Sequence, residues 1–317
     1  MRVGIAVLRS GLVESAPKVA VAPVAAVGWL DDAVRAGGGE VVGLDEATAL
    51  VWAHPMDGAS LGSVLAEHAD IEWVQLPWAG VEPFADVFDR DHRWTCAKGV
   101  YADPVAEHAL AMLLAGFRNL AGYARSRGWR PQVGRNLYDS RIVIVGGGGI
   151  TESLLPLLAP FRCDVTVVRR HAHHLDGAAR VVTADRLDEV LPGADAVVLA
   201  LSATPATHHL IGAHQLDLMA PHAWLVNVAR GTHVDTDALV TALEREQIGG
   251  AALDVTDPEP LPERHPLWSE PRCLITPHTA NTPEMARPLL ARRITENVRR
   301  YAAGEPLLGP VDPDLGY

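Results

Sequence analysis

The strongest constraint on the fold is a short apolar run that stops abruptly at four glycines. Residues 141–151 read Arg-Ile-Val-Ile-Val-Gly-Gly-Gly-Gly-Ile-Thr. Such a run is too short for a helix and is typical of a buried parallel strand that leads into a helix whose first N–H groups face a phosphate. Gly146 and Gly148 fit the G-x-G-x-x-G pattern, but Thr151 stands at its third glycine position. The segment predicts a dinucleotide-binding unit.

The end of the next apparent strand indicates which dinucleotide. Residues 164–170 read Asp-Val-Thr-Val-Val-Arg-Arg. An acidic residue is expected at this strand end if the ligand is NAD, because its carboxylate takes the ribose hydroxyls. Arg169 and Arg170 suit a 2′-phosphate instead. We therefore expect NADP as the preferred cofactor, with NAD still possible.

Length, composition and charge exclude several classes of protein. The 317 residues suffice for two domains, and 48% of them are hydrophobic. No apolar run reaches the roughly 20 residues of a membrane span. The formal charge of 27 − 39 = −12 argues against non-specific binding of nucleic acid. Any anionic ligand must therefore be held by a local concentration of arginines.

The N-terminus and the cysteines indicate an ordinary cytoplasmic protein. Residues 1–8 carry a short apolar run without a signal peptide's h-region or cleavage site, which favours a first core strand at residues 3–8. Cys96, Cys163 and Cys273 are too far apart in sequence for a disulfide framework or a metal clip. They are expected to be small buried hydrophobes, in a cytoplasmic setting.

Strand–helix alternation on both sides of the glycine run predicts two α/β domains. The expected strands are residues 3–8, 40–44, 49–53, 71–76, 94–97, 165–168, 196–201, 224–228, 250–253 and 273–275. The expected helices are residues 29–36, 61–68, 103–115, 214–219, 236–246 and 283–303. Asp103 is predicted to cap the helix over 103–115, with Pro104 at its first position. Residues 122–139 read as an irregular arm. We place a dinucleotide-binding domain at 101–282 and a second domain at 1–100 with 283–317.

Three segments after the glycine run place chemically useful side chains at strand ends. Arg230 ends an apolar strand, where a guanidinium can hold a carboxylate with two hydrogen bonds, although a surface salt bridge is about equally compatible. Glu259 lies between two prolines past the next strand, and Asp254 and Asp257 compete for the same role. His278 follows a third strand end, where a structural or solvated histidine is the plain alternative.

Taken together, these segments resemble the D-isomer-specific 2-hydroxyacid dehydrogenase family. The family's ordered motifs stand here as Asn-x-x-Arg-Gly at 227–231, Leu-Asp-Val at 253–255 running to Glu-Pro at 259–260, and Thr-Pro-His at 276–278. Three more segments resemble family motifs. Trp-Ala-Gly-Val at 78–81 resembles the substrate loop, Val-Ala-Glu-His at 105–108 the long inter-domain helix, and Thr-Pro-Ala-Thr at 204–207 a loop on the cofactor side. The resemblance implies a Rossmann-type doubly wound parallel sheet domain and a flavodoxin-like α/β substrate domain, associating as a homodimer.

The resemblance also implies a set of site residues. Arg230, Glu259 and His278 would be the catalytic trio, with His278 as the proton donor. The cofactor would be held by Gly146, Gly148, Gly149, Ile150, Arg169, Arg170, Thr207 and Asp254. The substrate would be held by Trp78, Ala79, Gly80 and Val81, the last three through their backbone amides.

Four residues depart from the family pattern, and one is Gly149, which stands where the family often has a polar side chain that can touch phosphate. Thr151 replaces the third glycine, so either the helix shifts outward or the hydroxyl caps a nearby group. Glu152 brings negative charge towards the pyrophosphate end of the helix, which is expected to weaken cofactor binding. Trp78 replaces a small residue. Its side chain would either narrow the substrate site or provide an apolar surface against which a larger 2-keto acid packs.

The other histidine-rich stretch does not predict a metal site. His171, His173 and His174 follow the two arginines, without a carboxylate or cysteine at ligand spacing. A solvated loop is the favoured interpretation, in which His171 could still assist with a 2′-phosphate. No metal is therefore predicted.

The sequence predicts an NADPH-preferring reductase that converts a small 2-keto acid of the glyoxylate or hydroxypyruvate type to a D-2-hydroxy acid. Two alternatives stay open. One is a formate- or phosphite-type dehydrogenase of the same fold. The other is a non-catalytic nucleotide-binding sensor or corepressor, which the altered glycine motif favours and the Arg/Glu/His set opposes.

Overall fold

The computed structural model describes residues 16–23 and 28–314. They form two compact units. One comprises the described residues up to Ala97 together with those from Pro288 onward, and the other runs from Lys98 to Arg287. The predicted strand at residues 3–8 lies outside the described residues.

The first unit is built on a five-stranded parallel sheet in the order β2-β1-β3-β4-β5. This is the flavodoxin-like strand order that the resemblance implied. The four residues of β3, Ala-Leu-Val-Trp, are all buried, as expected for a central strand covered on both faces. Its strands and helices are β1 Lys18–Ala22, α1 Gly28–Ala36, β2 Glu40–Val41, β3 Ala49–Trp52, α2 Gly58–Glu67, β4 Trp73–Gln75 and β5 Arg93–Thr95.

The second unit holds a seven-stranded parallel sheet in the order β12-β11-β10-β9-β6-β7-β8. The chain moves outward from β6 in one direction and from β9 in the other, so the strand order reverses between them. In doubly wound sheets ligands bind at the carboxyl ends of the strands beside this reversal, which is where the glycine run follows β6. The strands are β6 Arg141–Val145, β7 Asp164–Arg169, β8 Arg180–Thr183, β9 Ala196–Leu199, β10 Trp224–Asn227, β11 Gly250–Leu253 and β12 Cys273–Ile275. The predicted α/β, Rossmann-type fold class is confirmed.

Seven more α-helices follow α1 and α2 in the described chain, and one predicted cap is wrong. They are α3 Ala102–Phe117, α4 Leu120–Ala124, α5 Gly149–Leu158, α6 Leu187–Val190, α7 Ala213–Leu218, α8 Thr236–Glu244 and α9 Pro283–Ala302. From Pro288 onward, α9 belongs to the first unit. Helix α3 begins one residue before Asp103, and its N-cap is Tyr101. Asp103 lies inside the first turn, and its carboxylate accepts a hydrogen bond of 2.7 Å from Ser153 Oγ. Proline is tolerated throughout a first helical turn, so Pro104 does not fix where the helix starts.

The arm after α3 is largely irregular, as predicted, although α4 extends into its first residues. It exposes large apolar side chains, with Trp129 97% exposed and Val133 58% exposed. The homodimer stays a prediction, and this arm is a surface through which two copies of the chain are expected to contact each other.

The three cysteines are described by their burial and by the state of their thiols. Cys96 and Cys273 are buried, Cys163 is half-buried, and all three are free thiols. Burial raises the pKa of the Cys273 thiol to about 12. No helix among the described residues is both long and apolar enough to cross a bilayer.

Candidate active site

The glycine loop between β6 and α5 has a backbone that only glycine can adopt. Gly146 has a φ of +117°, and a Cβ added there would lie 2.0 Å from the carbonyl oxygen of Ala200, the residue that follows the neighbouring strand β9. The first glycine of the motif is therefore needed for both conformation and space. The loop is pressed against β9 at the point where the strand order reverses.

Thr151, the departure at the third glycine position, stabilises this loop. Its side chain is fully buried, and its hydroxyl donates a 2.9 Å hydrogen bond to the carbonyl oxygen of Gly146. Of the two expectations for this residue, capping of a nearby group is the one observed. The hydroxyl pairs a buried carbonyl inside the motif, so the substitution reinforces the loop that it interrupts.

A Thr151→Val variant is expected to lose about 1–3 kcal/mol of unfolding free energy, because valine keeps the shape and leaves the Gly146 carbonyl without its donor. Urea unfolding at unchanged m-value measures the loss. Thr241→Val is the matched control, since the Thr241 hydroxyl bonds the Asp237 carbonyl on an exposed helix face. A Thr151→Val loss no larger than that of the control would contradict this account.

The residues around the loop fit a dinucleotide phosphate. Gly148, the N-cap of α5, is exposed, and a Cβ built on it would meet nothing within 4 Å. Space is therefore open above the first N–H groups of a ten-residue helix, where Gly149 and Ile150 are half-buried. The side chain of Glu152 is exposed, within the first turn of the same helix.

Arg169 lies directly against the glycine loop. A Cβ added to Gly147 would be 2.8 Å from both Cδ and Nε of Arg169, so the arginine stem covers this glycine. Arg169 is half-buried at the end of β7, and Arg170 beside it is exposed. Two guanidinium groups thus follow the strand whose end meets the ribose in dinucleotide folds.

Thr207 has a defined role within its own loop. Its hydroxyl accepts a 2.8 Å hydrogen bond from the backbone N–H of Thr204 and lies 3.1 Å from the carbonyl oxygens of Ser202 and Thr204. This side chain closes the single 3₁₀ turn over Pro205–Thr207. Its predicted contact with the cofactor stays a prediction.

The predicted catalytic trio comes together at the carboxyl ends of β10, β11 and β12. His278 Nδ1 and Glu259 Oε1 are 2.7 Å apart, and both side chains are about half-exposed. The hydrogen bond to Glu259, with the attraction of its charge, raises the pKa of His278 above its ordinary value of 6.5. The same hydrogen bond lowers the pKa of Glu259, and the nearby charge of Arg230 lowers it further. For His278, the charge of Arg230 opposes the effect of Glu259 and offsets part of the rise in pKa. The pair therefore favours a charged imidazolium beside a carboxylate and near a guanidinium.

Asp254 holds the segment that carries His278. Its carboxylate accepts hydrogen bonds from Thr276 Oγ1 at 2.6 Å and from the backbone N–H groups of Thr279 at 2.8 Å and Ala280 at 3.0 Å. Its carbonyl accepts a 2.7 Å bond from the N–H of His278, which has a left-handed φ of +48°. Despite the desolvation of this buried carboxyl, the hydrogen bonds from His108, from Thr276 and from the two backbone N–H groups lower the pKa of Asp254 to about 2. The structure thus assigns Asp254 a structural role; its predicted cofactor contact stays a prediction.

His108 on α3 is a further part of this site. Its Nε2 lies 3.0 Å from Thr276 Oγ1 and 3.5 Å from Asp254 Oδ1. The sequence offered His108 only as part of an echoed helix motif, because its partners are separated from it by more than 140 residues. A contact between residues so far apart in sequence gives no local pattern from which it could be predicted.

The predicted substrate loop lies in the first unit and directly follows β4. Trp78 and Gly80 are half-buried, Ala79 is exposed and Val81 is buried in that unit's core. The carbonyl of Trp78 accepts a 3.0 Å bond from the N–H of Ala97, which anchors the loop. In the described part of the chain, the N–H groups of Ala79, Gly80 and Val81 have no acceptor. Consecutive amides of this kind suit an anion.

Comparison with known proteins gives consistent results. Residues 109–280 match the family model described as D-isomer specific 2-hydroxyacid dehydrogenase, NAD binding domain. The chain is 31% identical over 283 residues to glyoxylate/hydroxypyruvate reductase A of Serratia proteamaculans, covering 85% of this chain and 87% of that protein. It is 41% identical over 256 residues to an uncharacterized protein of Corynebacterium melassecola, covering 78% of this chain and 84% of that one. Among solved structures, a D-isomer specific 2-hydroxyacid dehydrogenase from Xanthobacter autotrophicus in complex with NADPH and MES superposes with a TM-score of 0.82. It is 28% identical, and the match covers 95% of this chain and all of that one.

Proposed function

This chain belongs to the D-isomer specific 2-hydroxyacid dehydrogenase family and is an NAD(P)-dependent oxidoreductase, and from that premise we propose that it reduces a small 2-keto acid of the glyoxylate or hydroxypyruvate type to the D-2-hydroxy acid. The observation that carries the proposal is the 2.7 Å contact between His278 and Glu259. Its curated relative from Serratia is named for the same class of substrate.

The proposed roles follow from the chemistry that keto-acid reduction requires. The bound nicotinamide supplies the hydride that the carbonyl carbon accepts. His278, held protonated by Glu259, donates the proton to the carbonyl oxygen as negative charge develops on it. Arg230 binds the substrate carboxylate and stabilises the charge on the carbonyl oxygen. In the first unit, the backbone amides of Ala79, Gly80 and Val81 are proposed to bind an anionic substrate, and Trp78 is proposed to limit its size.

NADP is the proposed preferred cofactor. Support comes from the Arg169 stem on Gly147, which keeps a guanidinium beside the glycine loop, and from Arg170 next to it. A 2′-phosphate pairs well with two guanidinium groups, whereas the ribose hydroxyls of NAD would have no carboxylate at this strand end. The relative from Xanthobacter was solved with NADPH.

Initial-rate measurements test the proposed function. NADPH and NADH are each combined with glyoxylate, hydroxypyruvate, pyruvate and bulkier 2-keto acids, and cofactor oxidation is followed by absorbance. We expect NADPH oxidation with the small acids. No oxidation of either cofactor with any of these acids would refute the proposal, and oxidation of formate or phosphite instead would support the alternative dehydrogenase.

A sensor without catalysis loses most of its support. It rested on the altered glycine motif, but the Thr151 hydroxyl stabilises the loop, and Glu152 is exposed. A pure binder has no need of a proton donor paired with a carboxylate. Cofactor binding without turnover on the keto-acid panel would restore this alternative.

The pH dependence of reduction is expected to follow His278. Because the pKa of His278 is raised, the protonated donor persists below that raised pKa and is lost as the pH rises through it. The value of kcat/KM for keto-acid reduction should therefore fall on the alkaline side. In Glu259→Gln this decline moves to lower pH, because the charge that favours imidazolium is gone. Glu263→Gln, at an exposed position four residues on, is the charge-matched control. An unmoved decline in Glu259→Gln would assign the titration to another group.

A further inference from the structure

Two loops at the carboxyl edge of the larger sheet bring three metal-ligating side chains together. His208, His209 and Asp257 each offer one ligand atom, and these atoms lie within 4.8 Å of one another. The two imidazoles are exposed and the carboxylate is half-buried. The rings of His208 and His209 stack with their centroids 3.9 Å apart. No role in the proposed reduction uses these side chains.

The topology of the sheet explains why residues nearly 50 positions apart meet. Strands β9 and β11 are both neighbours of β10, so the loops that follow them flank the loop after β10. Gly231 permits a close crossing, since a Cβ there would lie 1.9 Å from the carbonyl oxygen of Thr256. His208 and His209 follow β9, and Asp257 follows β11, so the cluster spans this crossing.

The backbone around the cluster is already fixed by hydrogen bonds. The ring nitrogens of the buried His233 lie 3.1 Å from the carbonyl oxygen of Thr207 and 3.2 Å from that of Leu201, which ties down the loop before His208. The N–H of His209 donates to the carbonyl of Thr232 at 2.8 Å.

The backbone of Asp257, which carries the carboxylate of the cluster, is also restrained by a hydrogen bond. Thr236 Oγ1 donates a 2.7 Å hydrogen bond to the carbonyl oxygen of Asp257. His209 has a φ of +49°, in the left-handed region that non-glycine residues seldom occupy. Because the backbone on both sides is held by these hydrogen bonds, rotation of the three side chains would bring their ligand atoms to a common ion.

We propose that His208, His209 and Asp257 bind a divalent transition metal ion, for which Zn²⁺ is the probe. Two imidazoles and a carboxylate are ligands of borderline-soft cations rather than of Mg²⁺ or Ca²⁺. A tetrahedral Zn²⁺ site needs ligand atoms about 3.3 Å apart, which the 4.8 Å cluster reaches by small rotations of three partly exposed side chains. The fourth position is left to water.

Such an ion would link the loop after β9 to the loop after β11. Asp257 stands two residues before Glu259, so the bound metal would restrain the segment that carries the partner of His278. The site stands on its own geometry and does not depend on which substrate the enzyme reduces. Among the described residues, His171, His173 and His174 do not form such a group of three ligand atoms, and His174 pairs instead with Asp176 two residues away.

Isothermal titration of the untagged, chelator-treated full-length chain with Zn²⁺ tests the proposal. We expect one ion per chain with a Kd in the micromolar range or tighter. His208→Gln with Asp257→Asn should weaken that binding at least tenfold. His209→Asn should do the same, because asparagine keeps the left-handed backbone and removes the imidazole. Zn²⁺ should also raise the Tm of the wild type and not that of the double variant.

The control is the triple variant His171→Gln, His173→Gln and His174→Gln, which should keep wild-type affinity. Unfolding temperatures in chelator establish that each variant folds. Absence of Zn²⁺ binding to the wild type at micromolar metal would overturn the proposal. Wild-type affinity in the folded double variant would also overturn it, as would loss of the ion in the triple variant.

Discussion

A His278→Asn variant is expected to reduce keto acids with a kcat lower by about 10²-fold or more, because the proton donor to the carbonyl oxygen is removed. Asparagine is chosen because it tolerates the left-handed φ of +48° at this position. The backbone bond from residue 278 to the Asp254 carbonyl can therefore persist. The measurement is steady-state turnover of NADPH with the best substrate of the panel.

Two readouts separate lost chemistry from lost structure. Binding of NADPH, followed by its fluorescence, should change little, since the cofactor loops are untouched. His214→Asn is the matched control, because His214 also faces a carboxylate, Asp188 at 3.2 Å, but on an exposed surface. Turnover within about threefold of wild type in His278→Asn would show that another group donates the proton.

The sequence could predict that Arg230, Glu259 and His278 lie at one edge of the sheet, because each of them belongs to a short local motif. Each of Arg230, Glu259 and His278 follows its own strand, and parallel strands deliver their carboxyl ends to one edge. Three short motifs in the right order therefore suffice to predict the edge, the side chains and the fold class. The flavodoxin-like order of the smaller sheet came with the same resemblance.

What the sequence could not supply depends on contacts between distant segments. The bond from Thr151 to the Gly146 carbonyl needs the exact path of a turn, so the residue looked like a defect in its motif. His108 and Thr276 meet across the fold, and neither carries a local signal for the other. The end of a helix is equally weakly encoded, and Asp103 was misplaced as a cap.

The carboxylate of Asp254 illustrates why such contacts matter for function. It binds two backbone amides and a hydroxyl of the segment that follows β12, while its own carbonyl receives the N–H of His278. Its lowered pKa keeps it ionised at any pH above about 2, so this support is present across the working range. The segment that carries the proposed proton donor is thus held by a residue that the sequence presents as a rival acid and as a cofactor-binding residue.

The second large effect is expected at the ribose end of the cofactor. Arg169→Asp combined with Arg170→Ala should lower the ratio of kcat/KM for NADPH to that for NADH by about 10²-fold or more. Each hydrogen bond between a guanidinium and a phosphate is worth roughly 1.5–3 kcal/mol, and a carboxylate at this strand end repels the 2′-phosphate while accepting ribose hydroxyls. The measured quantity is a ratio, so a general loss of stability cancels from it.

The charge-matched control for this switch is Arg245→Asp. Arg245 is exposed at the C-cap of α8, the helix end that precedes β11 and so lies at the opposite edge of the same sheet from the glycine loop. It undergoes the same change of charge as Arg169→Asp without approaching the ribose. If the cofactor ratio moves by less than about threefold in the double variant, or moves equally in Arg245→Asp, then Arg169 and Arg170 do not read the phosphate. A shift confined to the double variant would make the guanidinium against Gly147 the determinant of cofactor choice.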